Sequence, residues 1–436
     1  MNPESINSSE VKKPRFGKFT RIFGPGLVTG AADNDPSGIA TYSQAGAQFG
    51  YGQLWSALYQ IPFLIAIQEA CARIGAVTGK GLSAVVKEHY NKKVLVSVVL
   101  LVVVANTINI GADIGAVASS LQLVINLPFV FFAIATALVV VLLEVFVAYR
   151  NYAKILKWLA LSMLAYPITA LIIKEPWGEI IHATLFPRFE FSFAYIFIVV
   201  GVFGTTITPY MFFWQASQEV EEEIEGKILE EGGKPSLTKQ FVSNLRIDTT
   251  VGMIIAEIVQ WFIIITTATM LFANGITNID SAADAARALE PLVAGFSNAG
   301  QIAKIIFAIG VVGLGLLAIP VLAGSAAYAL SEAFGWREGL YKKFGQAKAF
   351  YGVIIVATLV GLLLNFIGVD PIKALIFTAV FNGISAIPLL FIIARINGRK
   401  DILGEYVGGR LSKTFVWLTF SIMALSGLAL FYTLLF

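Results

Sequence analysis

The sequence predicts an all-α membrane protein with eleven transmembrane helices, arranged as two inverted halves of five helices followed by one more. Three observations lead to this prediction. The chain of 436 residues is 57% hydrophobic and only 14% charged, whereas a soluble domain carries about 25% charged residues. Its apolar runs are long enough to cross ~30 Å of hydrocarbon. Two of these runs are interrupted near their middle, by Pro36 and by Pro209.

Eleven apolar runs reach the length of about 20 residues that a helix needs to cross a bilayer. Their approximate limits are 20–48, 52–77, 94–125, 128–148, 153–173, 192–217, 247–273, 301–331, 350–367, 372–394 and 414–435. The corresponding divisions of the chain are a tail at 1–18, a first five-helix repeat at 19–174, an inverted second repeat at 190–396 and an eleventh helix at 411–436. No cleavable signal segment is expected, so the first span should direct insertion.

The basic residues are distributed by side as the positive-inside rule requires. Of the 31 Lys and Arg residues, the connections assigned to the outer side contain only Lys174, Arg188, Arg287, Lys304 and Lys373. A different number of spans would mix the two sides. The distribution therefore predicts a cytoplasmic N-terminus and a multi-pass location in the plasma membrane.

The first span contains an intramembrane break beside two carboxylates. Asp33 and Asp35 lie in an apolar run that Pro36, Ser37 and Gly38 interrupt, because proline cannot donate the helical hydrogen bond and glycine weakens the helix further. Hydrocarbon tolerates the freed backbone groups only where they line a polar cavity or are buried in protein. Intramembrane carboxylates mark functional sites. Asp35 is the predicted ion ligand, and Asp33 is expected to line the vestibule.

The sixth span repeats this feature. Pro209 interrupts an apolar helix and follows Thr205 and Thr208. Five spans separate Pro36 from Pro209, so the two broken helices run in opposite directions. Interrupted segments at matching places in two halves indicate an inverted repeat with the substrate at the interface of the halves. A simple proline kink in the sixth span is the alternative.

The third span carries a polar stripe at helical spacing. Asn106, Asn109 and Asp113 are three and four residues apart and therefore share one face. They are predicted to face the aqueous path, with hydrogen bonding between helices as the alternative. Carboxylate, hydroxyl and carbonyl oxygens suit hard cations such as magnesium, calcium or manganese. No nucleotide-binding glycine-rich loop, catalytic triad or basic-aromatic nucleic-acid surface occurs in the sequence, so neither an enzyme nor an ATP-driven pump is expected.

Residues 24–55, which read GPGLVTGAADNDPSGIATYSQAGAQFGYGQLW, together with ARIGAVTGKGL in the second span, resemble the Nramp (natural resistance-associated macrophage protein) divalent-metal transporters. The resemblance is strongest in these two stretches and extends, through the pattern of spans, over nearly the whole chain. It implies the five-plus-five inverted-repeat architecture of LeuT-type transporters, with helices one and six discontinuous. It also implies that the ion binds at the two breaks.

In helix one the family typically reads Asp-Pro-Gly-Asn, with the Asp and Asn on the metal. Here the aspartate is retained as Asp35, whereas the asparagine position is Gly38. Without the asparagine amide, the resemblance implies that only the backbone carbonyl of Gly38 could contact the ion. On helix three the Asp-x-x-Glu pair of the family aligns with Ile110 and Asp113. Only the second acid is present, and it is shortened. On helix ten Asn382 is a candidate ligand, in a register uncertain by one residue.

In helix six the family typically reads Met-Pro-His, with a metal-binding methionine and a carbonyl three residues earlier. The corresponding residues here are Thr208 for the methionine, Tyr210 for the histidine and Thr205 for the carbonyl, and a second histidine of the family appears as Gln215. The soft thioether has become a hydroxyl, which acts directly or through a retained water. Tyr210 and Gln215 are further candidates that line the path.

These departures point in one direction. Loss of the thioether weakens soft-metal binding, and the extra space suits magnesium, which dehydrates reluctantly. Loss of the histidines and of one helix-three acid removes the proton route of the family. The chain therefore looks like the Nramp-related magnesium transporters. We expect potential-driven uptake of Mg²⁺, and of Mn²⁺ as well, without obligatory proton coupling.

Three alternatives remain at this stage. A proton-coupled manganese or iron importer would acidify the lumen of a proteoliposome as the metal enters. An Nramp-related aluminium transporter also carries threonine in place of the methionine. A sodium-coupled organic solute carrier of the same architecture would need a pocket for an amine or carboxylate. The expected partners are the divalent ion and the lipid bilayer, with no cofactor, nucleic acid or protein partner.

Overall fold

The computed structural model describes residues 24–147, 161–229, 233, 235 and 237–435. The chain is helical throughout this part. The α-helices, in chain order, are α1 Pro25–Asp33, α2 Pro36–Phe49, α3 Trp55–Thr78, α4 Leu82–His89, α5 Lys92–Gln122, α6 Phe129–Phe146, α7 Ala165–Ile172, α8 Trp177–Leu185, α9 Phe193–Thr206, α10 Pro209–Glu225, α11 Lys239–Met270, α12 Ala282–Arg287, α13 Ala299–Phe334, α14 Lys348–Leu364, α15 Pro371–Asn397, α16 Lys400–Leu403 and α17 Arg410–Leu435.

The spans agree with the predicted number. Within the described residues, eight helical segments are long and apolar enough to cross a membrane. The first predicted span is divided between α1 and α2, and the ninth is the shorter apolar helix α14. The fifth predicted span is described only from residue 161 onward, where it contains α7. These segments together account for eleven spans.

Both predicted breaks are present. After α1, Asn34 leaves the helical region with φ −86° and ψ 45°, and Asp35 then caps α2, whose first residue is Pro36. In the sixth span, Ile207 leaves the helical region with φ −100° and ψ 70°, and Pro209 begins α10. A proline at the first helical position needs no donor there, and its fixed φ suits a helix start. The sequence therefore restarts each helix immediately after the break. The limits of the two repeats remain a prediction.

The broken helices lie at the centre of the bundle. The segments α1 and α2 pack against α11, α9 packs against α15, and α5 packs against α13, α14 and α15. Two of these contacts bring backbones together. A Cβ atom at Gly30 would overlap the backbone of Gly252, and one at Gly204 would overlap the backbone of Ala379 and Gly383. Small residues permit this close approach in membrane helices.

The N-terminal end of α1 is anchored to α11 by one carboxylate. The side chain of Asp248 accepts hydrogen bonds from the amides of Gly24 and Gly26, at 3.0 and 2.7 Å. The first amides of a helix have no partner within the helix, and a negative charge there is stabilised by the helix dipole. Because Asp248 lies on α11, the same contacts fix the first half of the broken first span against the seventh span.

Candidate metal site at the helix breaks

Asp35 is the centre of the candidate site. It is the N-cap of α2 and is 1% exposed. Its Oδ1 accepts hydrogen bonds from the amide of Gly38 and from the hydroxyl of Ser37, each at 2.7 Å. An aspartate followed by proline is a favourable start for a helix, because the carboxylate satisfies one of the free amides of the first turn. These bonds hold Oδ1 toward α2 and leave Oδ2 directed elsewhere.

Gly38 takes part through its amide. Its N–H donates to Asp35, while its carbonyl lies inside the first turn of α2, where a helical carbonyl is bonded to the amide four residues later. The expected contribution of the Gly38 carbonyl is therefore replaced by this amide donor. The absence of a side chain also matters, because a Cβ atom there would lie 3.1 Å from the carbonyl oxygen of Asp33 and 3.2 Å from the ring of Tyr42.

The sixth span faces Asp35 through hydroxyl groups. The Oγ1 of Thr205 lies 3.0 Å from the Oγ of Ser37, which is itself bonded to Asp35. The residue four positions after Thr205 is Pro209, which has no N–H, so the Thr205 carbonyl has no helical donor. Thr208 caps α10, and its buried Oγ1 has no hydrogen-bond partner among the described residues. The second break therefore has two oxygen atoms without a protein donor, the Thr205 carbonyl and the Thr208 hydroxyl, and it contacts the first break through the Thr205 side chain.

The polar stripe of α5 divides into two parts. Asn109 donates to Asp35 Oδ2 and to Asp113 Oδ2, both at 3.3 Å, and its Oδ1 accepts from Asn382 of α15 at 3.1 Å. The other oxygen of Asp113 is buried without a partner in the described part of the chain. Asn106 instead donates to the carbonyl of Leu322 at 3.0 Å. Within the described residues, Asn106 therefore bonds to α13, whereas Asn109 links Asp35, Asp113 and Asn382 by hydrogen bonds. A position of Asn109 and Asp113 on the aqueous path stays a prediction.

The two remaining helix-six candidates lie in different places. The hydroxyl of Tyr210 donates to the carbonyl of Ala32 at 2.9 Å, and this carbonyl is free because Pro36, four residues on, has no N–H. Gln215 lies ~7.5 Å further along α10, where it accepts from Thr29 at 2.5 Å and donates to Glu219. Tyr210 thus borders the break, whereas Gln215 belongs to a chain of polar side chains with Thr29 of α1 and Glu219 of α10.

Asp33 makes no hydrogen bond to the Asp35 group. It is 1% exposed, and neither carboxylate oxygen has a hydrogen-bond partner in the part of the chain that the structure describes. Two polar residues of the break were not among the site residues predicted from the sequence. Ser37 bridges Asp35 and Thr205, and Asn34 ends α1. Both are polar residues directly beside the break, and this position was the signal that could have identified them.

The arrangement suits a hard cation with water still bound to it. The oxygen atoms directed to the centre belong to carboxylates, hydroxyls and amides, and such ligands are preferred by Mg²⁺, Ca²⁺ and Mn²⁺. Among the described residues, no group of three or more His, Cys, Asp or Glu side chains is arranged to hold a metal ion. A fully dehydrated ion would need more charged ligands than this centre provides.

The comparisons with known proteins agree with this geometry. A family model described as natural resistance-associated macrophage protein-like (Nramp) matches residues 26–433. The divalent metal cation transporter MntH of Ralstonia nicotianae is 25% identical over 435 residues, covering 97% of this chain and 93% of the relative. MntH of Caldanaerobacter subterraneus subsp. tengcongensis is 26% identical over 431 residues, covering 96% and 94%.

Solved structures show the same fold. The Eremococcus coleocola manganese transporter, bound to an aromatic bis-isothiourea compound, aligns with a TM-score of 0.76 at 16% identity, covering 97% of this chain and 90% of that one. MhsT in complex with L-phenylalanine aligns with a TM-score of 0.60 at 12% identity, covering 94% and 98%. The predicted LeuT-type fold is confirmed.

The relatives named here are transporters, so the prediction that the chain is not an enzyme is also confirmed. The family model covers the chain from the first break to the last helix. The chain belongs to the Nramp family.

Proposed function

We propose that this chain is a multi-pass transporter of divalent metal cations in the plasma membrane, with Mg²⁺ as its main substrate and Mn²⁺ as a second one. Uptake is driven by the membrane potential and needs no coupled proton. Divalent metal transport is supported by the names of the curated relatives, which are divalent metal cation transporters. The preference for magnesium rests on the residues of the site.

The ligand set at the helix breaks is the observation on which this preference depends. Asp35 supplies the charge, the Thr205 carbonyl and the Thr208 hydroxyl supply neutral oxygens, and Asn109 holds Asp35 and Asp113 together. None of these groups is a thioether, thiolate or imidazole, which are the ligands that favour softer transition metals. Manganese shares the oxygen chemistry of magnesium and is therefore expected to permeate.

The lining of the path extends the site on both sides. The hydroxyl of Tyr210 donates a hydrogen bond to the carbonyl of Ala32 near the end of α1. Asn382 donates to Asn109, which in turn donates to Asp35. Gln215 continues the polar route toward the inner ends of α1 and α10. Asp33 adds negative charge beside the break. In this proposal the N-terminus is cytoplasmic and the two five-helix repeats, 19–174 and 190–396, move against each other around the site.

The membrane potential is sufficient to drive this transport. Moving one elementary charge across 100 mV is worth about 2.3 kcal/mol, so a divalent cation gains roughly twice that amount on entering a cell that is negative inside. This gain corresponds to an accumulation of about 10³-fold, at ~1.4 kcal/mol for each factor of ten. A coupled proton is not required energetically.

The test is ion influx into proteoliposomes under an imposed inside-negative potential. Magnesium and manganese indicators and a pH dye in the lumen are read in parallel. We expect Mg²⁺ and Mn²⁺ entry without acidification for the wild type, and no entry for Asp35→Ala. The matched control is Glu144→Gln, which neutralises a buried carboxylate of α6 that has no hydrogen-bond partner among the described residues. It should transport like the wild type.

A proton-coupled manganese importer is the second candidate, and the relatives named manganese transporters favour it. It predicts Mn²⁺ entry accompanied by acidification of the lumen and no Mg²⁺ signal in the same assay. That result would overturn the magnesium proposal and leave divalent metal transport in place.

A further inference from the structure

The interface between the end of α1 and the middle of α11 contains a second pair of carboxylates. Asp33 and Glu257 are each 1% exposed. All four of their carboxylate oxygens are buried without a hydrogen-bond partner among the described residues, and the ion pairs of the same residues include neither group. A buried charge without compensation is strongly unfavourable, so such groups are normally paired or bound to a cation.

The packing of the two helices places this pair at one level. The α1 residues that meet α11 recur at helical spacing. Gly26 packs on Thr249, and Gly30 on Gly252. The next contact, one turn on, is Asn34, whose Nδ2 lies 3.5 Å from the carbonyl of Ala256. Residue 33 lies on the same face as residues 26 and 30.

Glu257 follows Ala256 directly, so the contact that holds Asn34 also brings α1 to the level of this carboxylate. The two carboxylates therefore lie at one level of the α1–α11 interface.

A further oxygen points to a ligand at this place. Asn34 is 4% exposed. Its Nδ2 is directed to Ala256, and its Oδ1, on the same amide group, has no partner in the described part of the chain. This amide oxygen is neutral, so electrostatic repulsion between acids does not explain its position. Within the described residues no donor contacts any of the four carboxylate oxygens, so no protein group there compensates their charge.

We propose that Asp33, Glu257 and the Oδ1 of Asn34 form a second cation-binding site, separate from the Asp35 site and specific for a hard divalent cation. Two carboxylates compensate the charge of one divalent ion, and five oxygen atoms are a suitable partial shell for Mg²⁺ or Mn²⁺, with water completing it. Asp33 lies two residues before Asp35 in the chain, on the other helix of the break. The second site holds an ion adjacent to the one in transit.

The inference relies on the proposed function only for the identity of the ion. Binding of Mn²⁺ to the purified full-length protein is measured by equilibrium dialysis and paramagnetic resonance, with Mg²⁺ as competitor. The wild type should bind two Mn²⁺ per chain, both displaced by Mg²⁺. Glu257→Gln and Asp33→Asn should each halve this number. Glu144→Gln, the matched neutralisation on α6, should still bind two.

The two variants test the same site from different helices, so Asp33→Asn decides the question if Glu257→Gln fails to elute as a single species. A wild type that binds one ion, or an unchanged number of ions in a folded Glu257→Gln or Asp33→Asn variant, would overturn the second site. An Asp35→Asn variant that keeps both ions while Glu257→Gln loses one would instead contradict the proposed role of Asp35 and support the second site.

Discussion

Neutralising Asp35 is the most direct perturbation of the proposed ion site. The substitution Asp35→Asn retains an oxygen acceptor for the hydroxyl of Ser37 and the amide of Gly38, which are bonded to Oδ1 in the wild type. It changes the contact of Oδ2, because an amide nitrogen would then face the donating nitrogen of Asn109. One hydrogen bond is lost, which is worth about 1 kcal/mol. The helix start at α2 should therefore persist.

The effect on the ion is much larger than the effect on the fold. Two unit charges 4 Å apart attract by about 4 kcal/mol at an effective dielectric constant of 20, so a divalent ion gains roughly 8 kcal/mol from one carboxylate. Desolvation offsets much of this gain. Removing one partner of a buried, hydrogen-bonded charge pair costs about 2–5 kcal/mol. At ~1.4 kcal/mol per factor of ten, the variant should lose about 30-fold to about 4,000-fold in apparent affinity for Mg²⁺.

The assay is Mg²⁺ influx into proteoliposomes as a function of external Mg²⁺ concentration. The concentration for half-maximal influx should rise by the calculated factor, while the melting temperature of the purified variant falls by less than about 4 °C. The double variant Asp35→Asn with Asn109→Asp returns one carboxylate to the centre, at a side chain that contacts residue 35, and should recover part of the affinity. An unchanged half-maximal concentration in the folded single variant would refute the assignment of Asp35 as the charged ligand.

Two further substitutions test other parts of the argument. Thr208→Met places a thioether where a buried hydroxyl has no partner among the described residues. It should raise the ratio of Mn²⁺ influx to Mg²⁺ influx by about tenfold, equivalent to ~1.4 kcal/mol, because a thioether favours the softer ion. Thr208→Val is the control and should leave this ratio unchanged. An equal ratio in the two variants would contradict a direct role for this side chain. Gly204→Ala would force a Cβ atom into the backbone of α15, whereas Gly352→Ala on α14 meets no atom within 4 Å. Gly204→Ala should lower the stability by about 1–3 kcal/mol or more, and Gly352→Ala should leave it unchanged. Equal melting temperatures of the two variants would show that α9 and α15 are not in close contact.

The sequence predicts those features that depend on local composition. The hydrophobic length of each run, the sorting of Lys and Arg, and the missing N–H of Pro36 and Pro209 each act within one segment. The number of spans and the two breaks therefore follow from inspection. Asp35 was also identifiable, because a carboxylate directly before an intramembrane proline is both a helix cap and a costly charge.

Features that depend on contact between distant segments were not predictable in the same way. The spacing of Asn106, Asn109 and Asp113 places them on one face of the helix. It does not reveal that Asn106 donates to the carbonyl of Leu322 on α13, or that Asn109 donates to Asp35. Likewise, the sequence around Glu257 does not indicate that Asn34, at the end of α1, contacts α11 at the neighbouring residue Ala256. These partners are more than 70 residues apart and are determined by helix packing.

The two prolines have different consequences for the site, although both remove a helical donor. Pro36 leaves the carbonyl of Ala32 without its helical donor, and the hydroxyl of Tyr210 donates a hydrogen bond to this carbonyl at 2.9 Å. Tyr210 directly follows Pro209, so the second break supplies the donor that closes the first. Pro209 frees the carbonyl of Thr205, whose side chain contacts Ser37 beside Asp35. The inverted breaks are therefore not equivalent: the Ala32 carbonyl ties the two broken helices together, whereas the Thr205 carbonyl is the one that the proposed function assigns to the transported ion. An ion that binds the Thr205 carbonyl and Asp35 contacts both broken helices at once, so movement of either helix alone changes its coordination.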